Sequence, residues 1–214
     1  MLSENQSRTL QAEWVEASLM NYLAHVFLAG ESEPDRLGGL LGDFVKGPLP
    51  CGLPPLLAEG VALHRRIDSY ADAHPAFQRS RARVSPARRR YAGVMVDMFY
   101  DHLLAAHWPD YSAVSLESYS RRVYDLLDAH APTLPQRLNT VRLWMREEDW
   151  LCSYRSLDGV GGALDRIAQH RLSRPGTLPG SIEELAADYD GFKQDFFEFM
   201  HDAQAMTALV RQQR

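Results

Sequence analysis

Apolar residues recur along this chain at the spacing of an α-helix, and this pattern constrains the fold more than any other feature. No run of β-branched residues alternates with polar ones, as a half-buried strand requires. The chain has 214 residues, which suits one well-buried core because single domains cluster near ~100–200 residues. We therefore expect an all-α fold, a single-domain helical bundle.

Glycines, prolines and capping residues divide the helical pattern into segments. A first apolar stripe over residues 20–28 ends at Gly30, with residues 31–35 as a polar exit, and GGLLGDFVKGP predicts a short apolar turn between glycines. Further helices are predicted from Pro54 to the residue before Pro75, from Ser85 to Pro109, from Ser115 to Pro132, after Thr133 with Gln136 as a capping box, and from Ser181 with Glu184 as a capping box toward the C-terminus.

The composition is that of a soluble globular protein, with 45% hydrophobic and 24% charged residues. No apolar run approaches the ~20 residues of a bilayer span, and the N-terminus lacks the basic start and apolar core of a signal peptide. Cys51 and Cys152 are too few and too far apart for a disulfide framework, so we interpret them as free thiols. We expect a cytoplasmic protein that does not bind membranes.

The charge distribution is more informative than the net charge of −5, which argues against nucleic acid as a partner. The segment from Arg65 to Arg90 contains eight arginines and only two aspartates, so this basic segment carries an excess of six positive charges. The excess predicts a surface for an acidic partner or a phosphate. The alternative is that Arg88–Arg90 only occupy an exposed helical turn.

Each of two predicted helices carries a pair of titratable residues four positions apart, and this spacing places both members of a pair on one helix face. VALHRRID contains His64 and Asp68, and DMFYDH contains Asp97 and Asp101 followed by His102. The second segment is apolar almost all round, so its carboxylates are expected to be buried, which costs several kcal/mol unless they are paired or metal-bound. A bound metal explains both pairs, although a solvated surface pair also explains the first.

Two earlier positions extend this candidate site. His25 lies in the apolar stretch NYLAHVFLA, where a metal ligand and a core histidine are both open, and GLLGDFVKG places Asp43 near Lys46. Imidazole and carboxylate ligands without thiolate suit Mn²⁺, Mg²⁺, Zn²⁺ or Fe²⁺. Such an ion activates water and polarises phosphoryl oxygens, so phosphoester hydrolysis follows. The candidate site comprises His25, Asp43, His64, Asp68, Asp97, Asp101 and His102.

Several motifs in order resemble the acyl carrier protein phosphodiesterase family. The resemblance rests on MNYLAHVFLA, GGLLGDFVKG, LHRRIDSYADAHP and DMFYDHLLAAHW, and it extends from Met20 to about Phe199. It implies a metal-dependent enzyme, most often with Mn²⁺, that cleaves the phosphodiester between the 4′-phosphopantetheine arm and a serine of holo acyl carrier protein. It also implies a helical fold distantly related to the HD-type phosphohydrolases.

The resemblance assigns roles residue by residue. His25 would be the first histidine of the HD pattern, Asp43 the aspartate of its dipeptide and Asp101 its late aspartate. The residue spacing, and not the resemblance, predicts Asp97 as a further ligand. Gly42 stands where the dipeptide histidine should be. Either His64 supplies the missing imidazole or the metal has one nitrogen ligand fewer.

The remaining predicted roles concern the substrate. Lys46 with Arg65 or Arg66 would stabilise the phosphoryl charge, and His102 or Asp68 would protonate the leaving serine oxygen. The acidic carrier protein would dock on the arginines of the basic segment, because opposite charge orients and steers association. The predicted docking arginines are Arg79, Arg81, Arg83, Arg88, Arg89 and Arg90.

Residues 1–19 have no counterpart in the resemblance, so we predict an N-terminal extension, with an appended helix as one form of it, before a phosphodiesterase domain over residues 20–214. Two alternative functions stay open from the sequence. One is a nucleotide phosphohydrolase of the HD type. The other is a non-catalytic acyl carrier protein binding module whose acidic residues form only structural ion pairs.

Overall fold

The computed structural model describes residues 22–171 and 176–214. These ranges contain α-helices and three short 3₁₀ helices but no β-strand, which confirms the predicted all-α fold class. The predicted extension, residues 1–19, lies outside the described residues and stays a prediction. The α-helices of the described ranges are α1 (Tyr22–Ala29), α2 (Glu33–Leu41), α3 (Pro55–Ala73), α4 (Pro75–Arg83), α5 (Ala92–Ala106), α6 (Leu116–Ala129), α7 (Gln136–Glu147), α8 (Trp150–Ser153), α9 (Leu157–Arg171), α10 (Ile182–Ala187) and α11 (Tyr189–Gln212).

Helix α5 is the centre of the bundle, as its nearly uniform apolar sequence predicts. Eleven of its 15 residues are buried, and it packs against α1, α4, α9 and α11. Aromatic side chains of α11 fill the space beside it, with Phe192 packed edge-on against Phe99 and Phe196 against Tyr100. The acidic and histidine residues of α5 are therefore held in a rigid, solvent-poor setting.

Helices α2 and α3 form a very close pair because glycines line their contact. A Cβ atom on Gly38 would lie 2.4 Å from the carbonyl carbon of Gly60, and one on Gly60 would lie 2.5 Å from the carbonyl oxygen of Pro34. No side chain fits between the two backbones. This approach brings the middle of α3, which carries His64, against the C-terminal end of α2.

The polar connection predicted over residues 31–35 is wrong, because residues 33–35 form the first turn of α2. The Ser32 side chain accepts a hydrogen bond from the Asp35 N–H at 3.2 Å, and Pro34 occupies the first turn, where it needs no N–H partner. Helix α2 continues to Leu41, so the predicted short apolar turn is helical through its first glycines.

The region between α3 and α5 also differs from the prediction. Helix α3 covers Pro55–Ala73 as expected, but α4 follows at once, with the ring Nδ1 of His74 accepting from the Ala76 N–H. Helix α5 begins at Ala92 and not at Ser85. The backbone N–H and hydroxyl of Ser85 both donate to Glu184 from a distant segment, which removes Ser85 as a helix cap.

The two predicted capping boxes are wrong. Thr133 donates its hydroxyl to the carbonyl of His130, and α7 starts after Pro135 without a side-chain cap. Glu184 accepts hydrogen bonds from Ser85 and not from the Ser181 backbone, and the Ser181 side chain makes no capping hydrogen bond. The helical conformation is interrupted at Asp188, between α10 and α11, so the last predicted helix is in fact two helices.

Two expectations about the whole chain concern membranes and thiols. Over the described ranges, no helix combines the length and the apolar character needed to cross a membrane. Cys51 and Cys152 are free thiols, as predicted.

Candidate metal centre

Helices α1 and α3 bring two histidines and one carboxylate together. Nε2 of His25 lies 3.1 Å from Oδ1 of Asp68, and Nε2 of His64 lies 3.3 Å from Oδ2 of the same carboxylate. The two imidazoles stack with their centroids 3.9 Å apart. One potential ligand atom from each of the three residues lies within 4.8 Å of the other two, so among the described residues this group could hold a metal ion.

The site is buried at its nitrogen side and open at its oxygen side. The side chains of His25 and His64 are 3% and 1% exposed, whereas that of Asp68 is 51% exposed. A ligand or substrate therefore reaches the cluster past Asp68. We define these three residues as the histidine site.

Backbone contacts determine the orientation of His64. Its Nδ1 lies 2.9 Å from the carbonyl oxygen of Gly39, so Nδ1 carries the proton and Nε2 faces Asp68. A Cβ atom at Gly42 would lie 2.0 Å from Cδ2 of this ring. The imidazole thus occupies the space that a side chain at position 42 would need, which gives a physical reason for the glycine there.

The two stacked imidazoles share one positive charge. Burial lowers the pKa of His64, but the hydrogen bonds and charges of Asp43 and Asp68 outweigh it and raise the pKa to about 9. Burial and the neighbouring His64 lower the pKa of His25. For Asp68, burial acts upward, but the two histidines outweigh it and lower its pKa. In the metal-free site, His64 is the protonated imidazole.

Two more predicted residues border the histidine site. Oδ2 of Asp43 lies 3.6 Å from Nε2 of His64. Burial, and then the charge of Asp68, raise the pKa of Asp97 well above its ordinary value, with further contributions from Asp101 and Asp43. No residue in ranges 22–171 and 176–214 gives Asp97 a hydrogen bond or an ion pair. Among the described residues, Asp97 is thus a carboxyl group near the site that has no cationic partner.

Asp101, predicted as a metal ligand, holds a helix end instead. Its two oxygens accept hydrogen bonds from the N–H groups of Leu23 at 3.0 Å and Ala24 at 2.8 Å, in the first turn of α1. These N–H groups have no partner within their own helix. Burial raises the pKa of Asp101 to about 7, although both hydrogen bonds act to lower it. Asp101 therefore positions α1, and with it His25.

His102, predicted as a proton donor to the leaving group, lies in a different environment. Its Nδ1 contacts the carbonyl oxygen of Tyr154 at 2.9 Å, and its Nε2 contacts the hydroxyl of Tyr189 at 3.1 Å. Both ring nitrogens thus have partners outside the histidine site. The structure places His102 in the packing of α5 against the C-terminal half of the chain, and its catalytic role stays a prediction.

The predicted phosphate-binding cations also have different surroundings. Arg65 donates from Nη2 to the carbonyl of Val45 and from Nη1 to that of Gly47, both at 2.8 Å, which fixes the loop after Asp43. Lys46 and Arg66 are exposed, and neither forms an ion pair with a described residue. Arg65 is therefore a structural residue, whereas Lys46 and Arg66 stay available to a substrate.

The basic segment is largely neutralised within the protein, contrary to its appearance in the sequence. Four of the six predicted docking arginines form ion pairs: Arg79 with Asp195 and Glu198, Arg81 with Asp72, Arg83 with Asp188 and Asp195, and Arg88 with Glu184. Arg90 lies over the ring of Tyr91. Arg89 is exposed and pairs with no carboxylate of the described ranges. Most of the predicted docking surface is thus structural.

Sequence reasoning missed two features of the site. It placed Asp68 beside His64 in the candidate site and gave it a proton-donor role, but it did not predict that His25 also contacts this carboxylate. The i, i+4 spacing of His64 and Asp68 indicated only the contact with His64. It also missed the carbonyl of Gly39, which no side-chain pattern reveals.

Comparison with known proteins adds an independent result. The family model described as "Acyl carrier protein phosphodiesterase" matches residues 20–203. A protein of that name from Serratia proteamaculans is 33% identical over 181 residues, which cover 84% of this chain and 93% of that protein. One from Escherichia coli is 34% identical over 185 residues, again 84% of this chain and 93% of that protein. No solved structure matches the chain.

Proposed function

The chain belongs to the acyl carrier protein phosphodiesterase family, and from this membership we propose that it is a metal-dependent hydrolase that releases the 4′-phosphopantetheine arm of holo acyl carrier protein. The observation that carries the proposal is the histidine site. Two buried imidazoles and a half-exposed carboxylate converge there, and no lysine or arginine of the described chain pairs with Asp68 or Asp97.

The residues present fit a divalent metal. In the neutral form of His64, the Gly39 carbonyl fixes the proton on Nδ1, which leaves the Nε2 lone pair directed at Asp68. We propose His25, His64 and Asp68 as ligands, with Asp43 and Asp97 as the neighbouring carboxylates. Mixed imidazole and carboxylate donors without thiolate suit Mn²⁺, Mg²⁺, Fe²⁺ or Zn²⁺, and of these the family resemblance favours Mn²⁺. Such an ion would supply an activated water and polarise a phosphoryl oxygen.

The chain's own groups have separate tasks in this scheme. Asp68 is ionised at neutral pH because both histidines lower its pKa, so it serves as a ligand and not as the proton donor of the sequence prediction. Asp101 and Arg65 hold α1 and the loop after Asp43 in place. Lys46 and Arg66 are exposed cations that we propose meet the acidic carrier protein.

We propose the cytoplasm as the compartment of this activity. The two free thiols, Cys51 and Cys152, are consistent with a reducing environment. Their chemistry has no role in the proposed reaction.

The experiment that tests the function is mass spectrometry of holo acyl carrier protein after incubation with the full-length protein. We expect loss of the prosthetic arm with Mn²⁺ and none with a chelator. Asp68→Asn is expected to abolish the release. Asp72→Asn is the matched control, because Asp72 lies four residues further along α3 and pairs with Arg81 outside the site.

Three results would contradict the proposal in different ways. Binding of the carrier protein without product, in the presence or absence of chelator, would indicate a non-catalytic module. Turnover of a nucleotide panel but not of holo acyl carrier protein would indicate a different substrate. Full release by Asp68→Asn would remove the histidine site from the mechanism.

A further inference from the structure

Arg137 is a charged group whose internal partners are missing. Its Nε and Nη2 atoms are buried, and neither has a hydrogen-bond partner. Arg142, five residues later on the same helix, donates to Asn139 at 2.6 Å and also to Asp128. Buried N–H donors without acceptors are unfavourable, because their desolvation is not compensated. An acceptor from outside the chain is therefore expected at Arg137.

The position of Arg137 connects it to the candidate metal centre. It is the second residue of α7, and its guanidinium carbon lies 6.0 Å from the ring centroid of Phe44. Phe44 directly follows Asp43, whose carboxylate lies 3.6 Å from His64. The guanidinium thus packs on the same turn of chain that carries a carboxylate of the site.

A second arginine, Arg65, also contacts this turn. Arg65 uses its Nη atoms for the carbonyls of Val45 and Gly47, so those nitrogens already have acceptors within the fold. Arg137 has none among the described residues. Of the two arginines that contact this turn, Arg137 is the one with buried donors left for a ligand.

We propose that Arg137 binds the phosphoryl oxygens of the substrate phosphodiester. This inference rests on the proposed function, since it assigns the anion-binding residue of the same site. The planar guanidinium offers parallel N–H donors that match two oxygens of one phosphate, which a lysine ammonium cannot do. The burial of Nε and Nη2 favours a small oxyanion over the side chains of a docked protein surface.

Steady-state kinetics of arm release, with full-length protein and Mn²⁺, test this role. Arg137→Met keeps much of the side-chain volume, and we expect it to lower kcat/KM about 10- to 100-fold, the loss of one charge-assisted hydrogen-bonded contact. Arg137→Lys should recover part of that loss, and free guanidinium ion should partly rescue Arg137→Ala. Arg142→Met is the matched control and should keep the wild-type kcat/KM, because Arg142 has its acceptors inside the protein.

A purely structural role makes the opposite prediction. Removing an uncompensated buried charge would then stabilise the fold, so Arg137→Met with unchanged kcat/KM and a higher melting temperature overturns the inference. Mn²⁺ affinity, measured by electron paramagnetic resonance, should be equal in Arg137→Met and wild type. A parallel loss of Mn²⁺ binding would show that Arg137 supports the metal centre and would also overturn the phosphate assignment.

Failure of the proposed function is distinguishable from failure of this inference. If wild-type protein releases no arm, binding of inorganic phosphate to the Mn²⁺-loaded protein, measured by calorimetry, still tests Arg137. Weaker phosphate binding by Arg137→Met, with no change in Arg142→Met, supports the anion site without any turnover. Equal phosphate binding by all three proteins rejects it.

Discussion

Two clusters of acidic side chains in this protein differ in the positively charged groups that neutralise them. Asp195 on α11 is 1% exposed, and it accepts hydrogen bonds from the Nε atoms of Arg79 and Arg83, both at 2.8 Å, and from Ser80. We call this the arginine cluster. The histidine site, in contrast, places Asp68 against two imidazoles that together carry one positive charge, with Asp97 nearby and unpaired among the described residues.

The difference indicates which cluster is structural and which is available for chemistry. Guanidinium groups stay charged throughout the physiological pH range, so the arginine cluster is neutralised permanently inside the fold. Imidazole can lose its proton and then offer a lone pair. The histidine site can bind a cation from solution, because its imidazoles can lose their proton and Asp97 has no cationic partner among the described residues. The arginine cluster cannot, because its guanidinium groups stay charged.

Removal of the central carboxylate of the arginine cluster should give the largest effect. We expect Asp195→Ala to lower the free energy of unfolding by about 3–5 kcal/mol, because it removes three hydrogen bonds to a buried carboxylate, two of them from guanidinium groups. Urea unfolding with intact arm-release activity of the folded fraction would check this. Asp190→Asn, on the same helix but at an exposed ion pair with Lys193, should leave stability almost unchanged. Equal effects of both variants would contradict the structural assignment.

The pH dependence of the histidine site should be next in size. The folded-state pKa of His64 is about 9 against an ordinary value of 6.5. Its proton therefore stabilises the metal-free fold fully below pH 6.5, and this contribution is lost as the pH rises through 9. We expect a fall of roughly 3 kcal/mol across that window, from the size of the shift.

Urea unfolding in chelator at several pH values would measure this fall. His64→Asn should flatten the curve between pH 6.5 and 9. The burial of Asp101, whose pKa is about 7, contributes a separate decline that begins above its ordinary value of 3.8, and the His64 variant should retain it. A wild-type curve that is flat above pH 7 would refute the charged state assigned to His64.

Filling the space beside His64 should have an intermediate effect. We expect Gly42→Ala to cost about 1–3 kcal/mol and to abolish stabilisation by Mn²⁺, because the new methyl group overlaps the His64 ring. Gly42 has ordinary helical backbone angles, so alanine introduces no backbone strain there.

A double-mutant cycle separates this overlap from other causes. In a His64→Ala background the same Gly42→Ala change should be nearly neutral, because the ring is gone. Gly93→Ala is the control: a Cβ at that position meets nothing within 4 Å, so stability should be unchanged or slightly higher. Additive effects of Gly42→Ala and His64→Ala would contradict the contact.

The smallest expected effect has the opposite sign from the others. Asp97→Asn should raise the unfolding free energy of the metal-free protein by about 1 kcal/mol near pH 8, because it removes a buried carboxylate beside Asp68. Asp101→Asn, one helical turn later, should lower stability because it weakens the cap of α1. Thermal unfolding in chelator compares the two, and a loss of stability in both would place Asp97 among the structural residues.

Much of the fold and part of the site could be predicted from local sequence. Helical periodicity predicted the all-α class and the bounds of α3, and the apolar circumference of α5 predicted its central position. The spacing of His64 and Asp68 placed both on one face of α3, where they contact the same site. These features depend on residues within one or two turns of each other, so a single segment contains the whole signal.

Partners that lie far apart in the chain could not be predicted in this way. Asp97 and Asp101 look equivalent in sequence, yet Asp101 caps a helix that is 77 residues away and Asp97 is left beside the histidine site. Arg79 looked available for a carrier protein, although Asp195, 116 residues later, neutralises it. Ser85 looked like a helix cap until Glu184 took both of its donors.

By itself the sequence determined the all-α class, the central position of α5 and the shared face of His64 and Asp68 on α3. Only the tertiary structure decided which of these charges neutralise one another. Helix formation depends on neighbours along the chain, whereas compensation of a buried charge depends on whichever side chain the packing of distant helices brings within hydrogen-bonding distance.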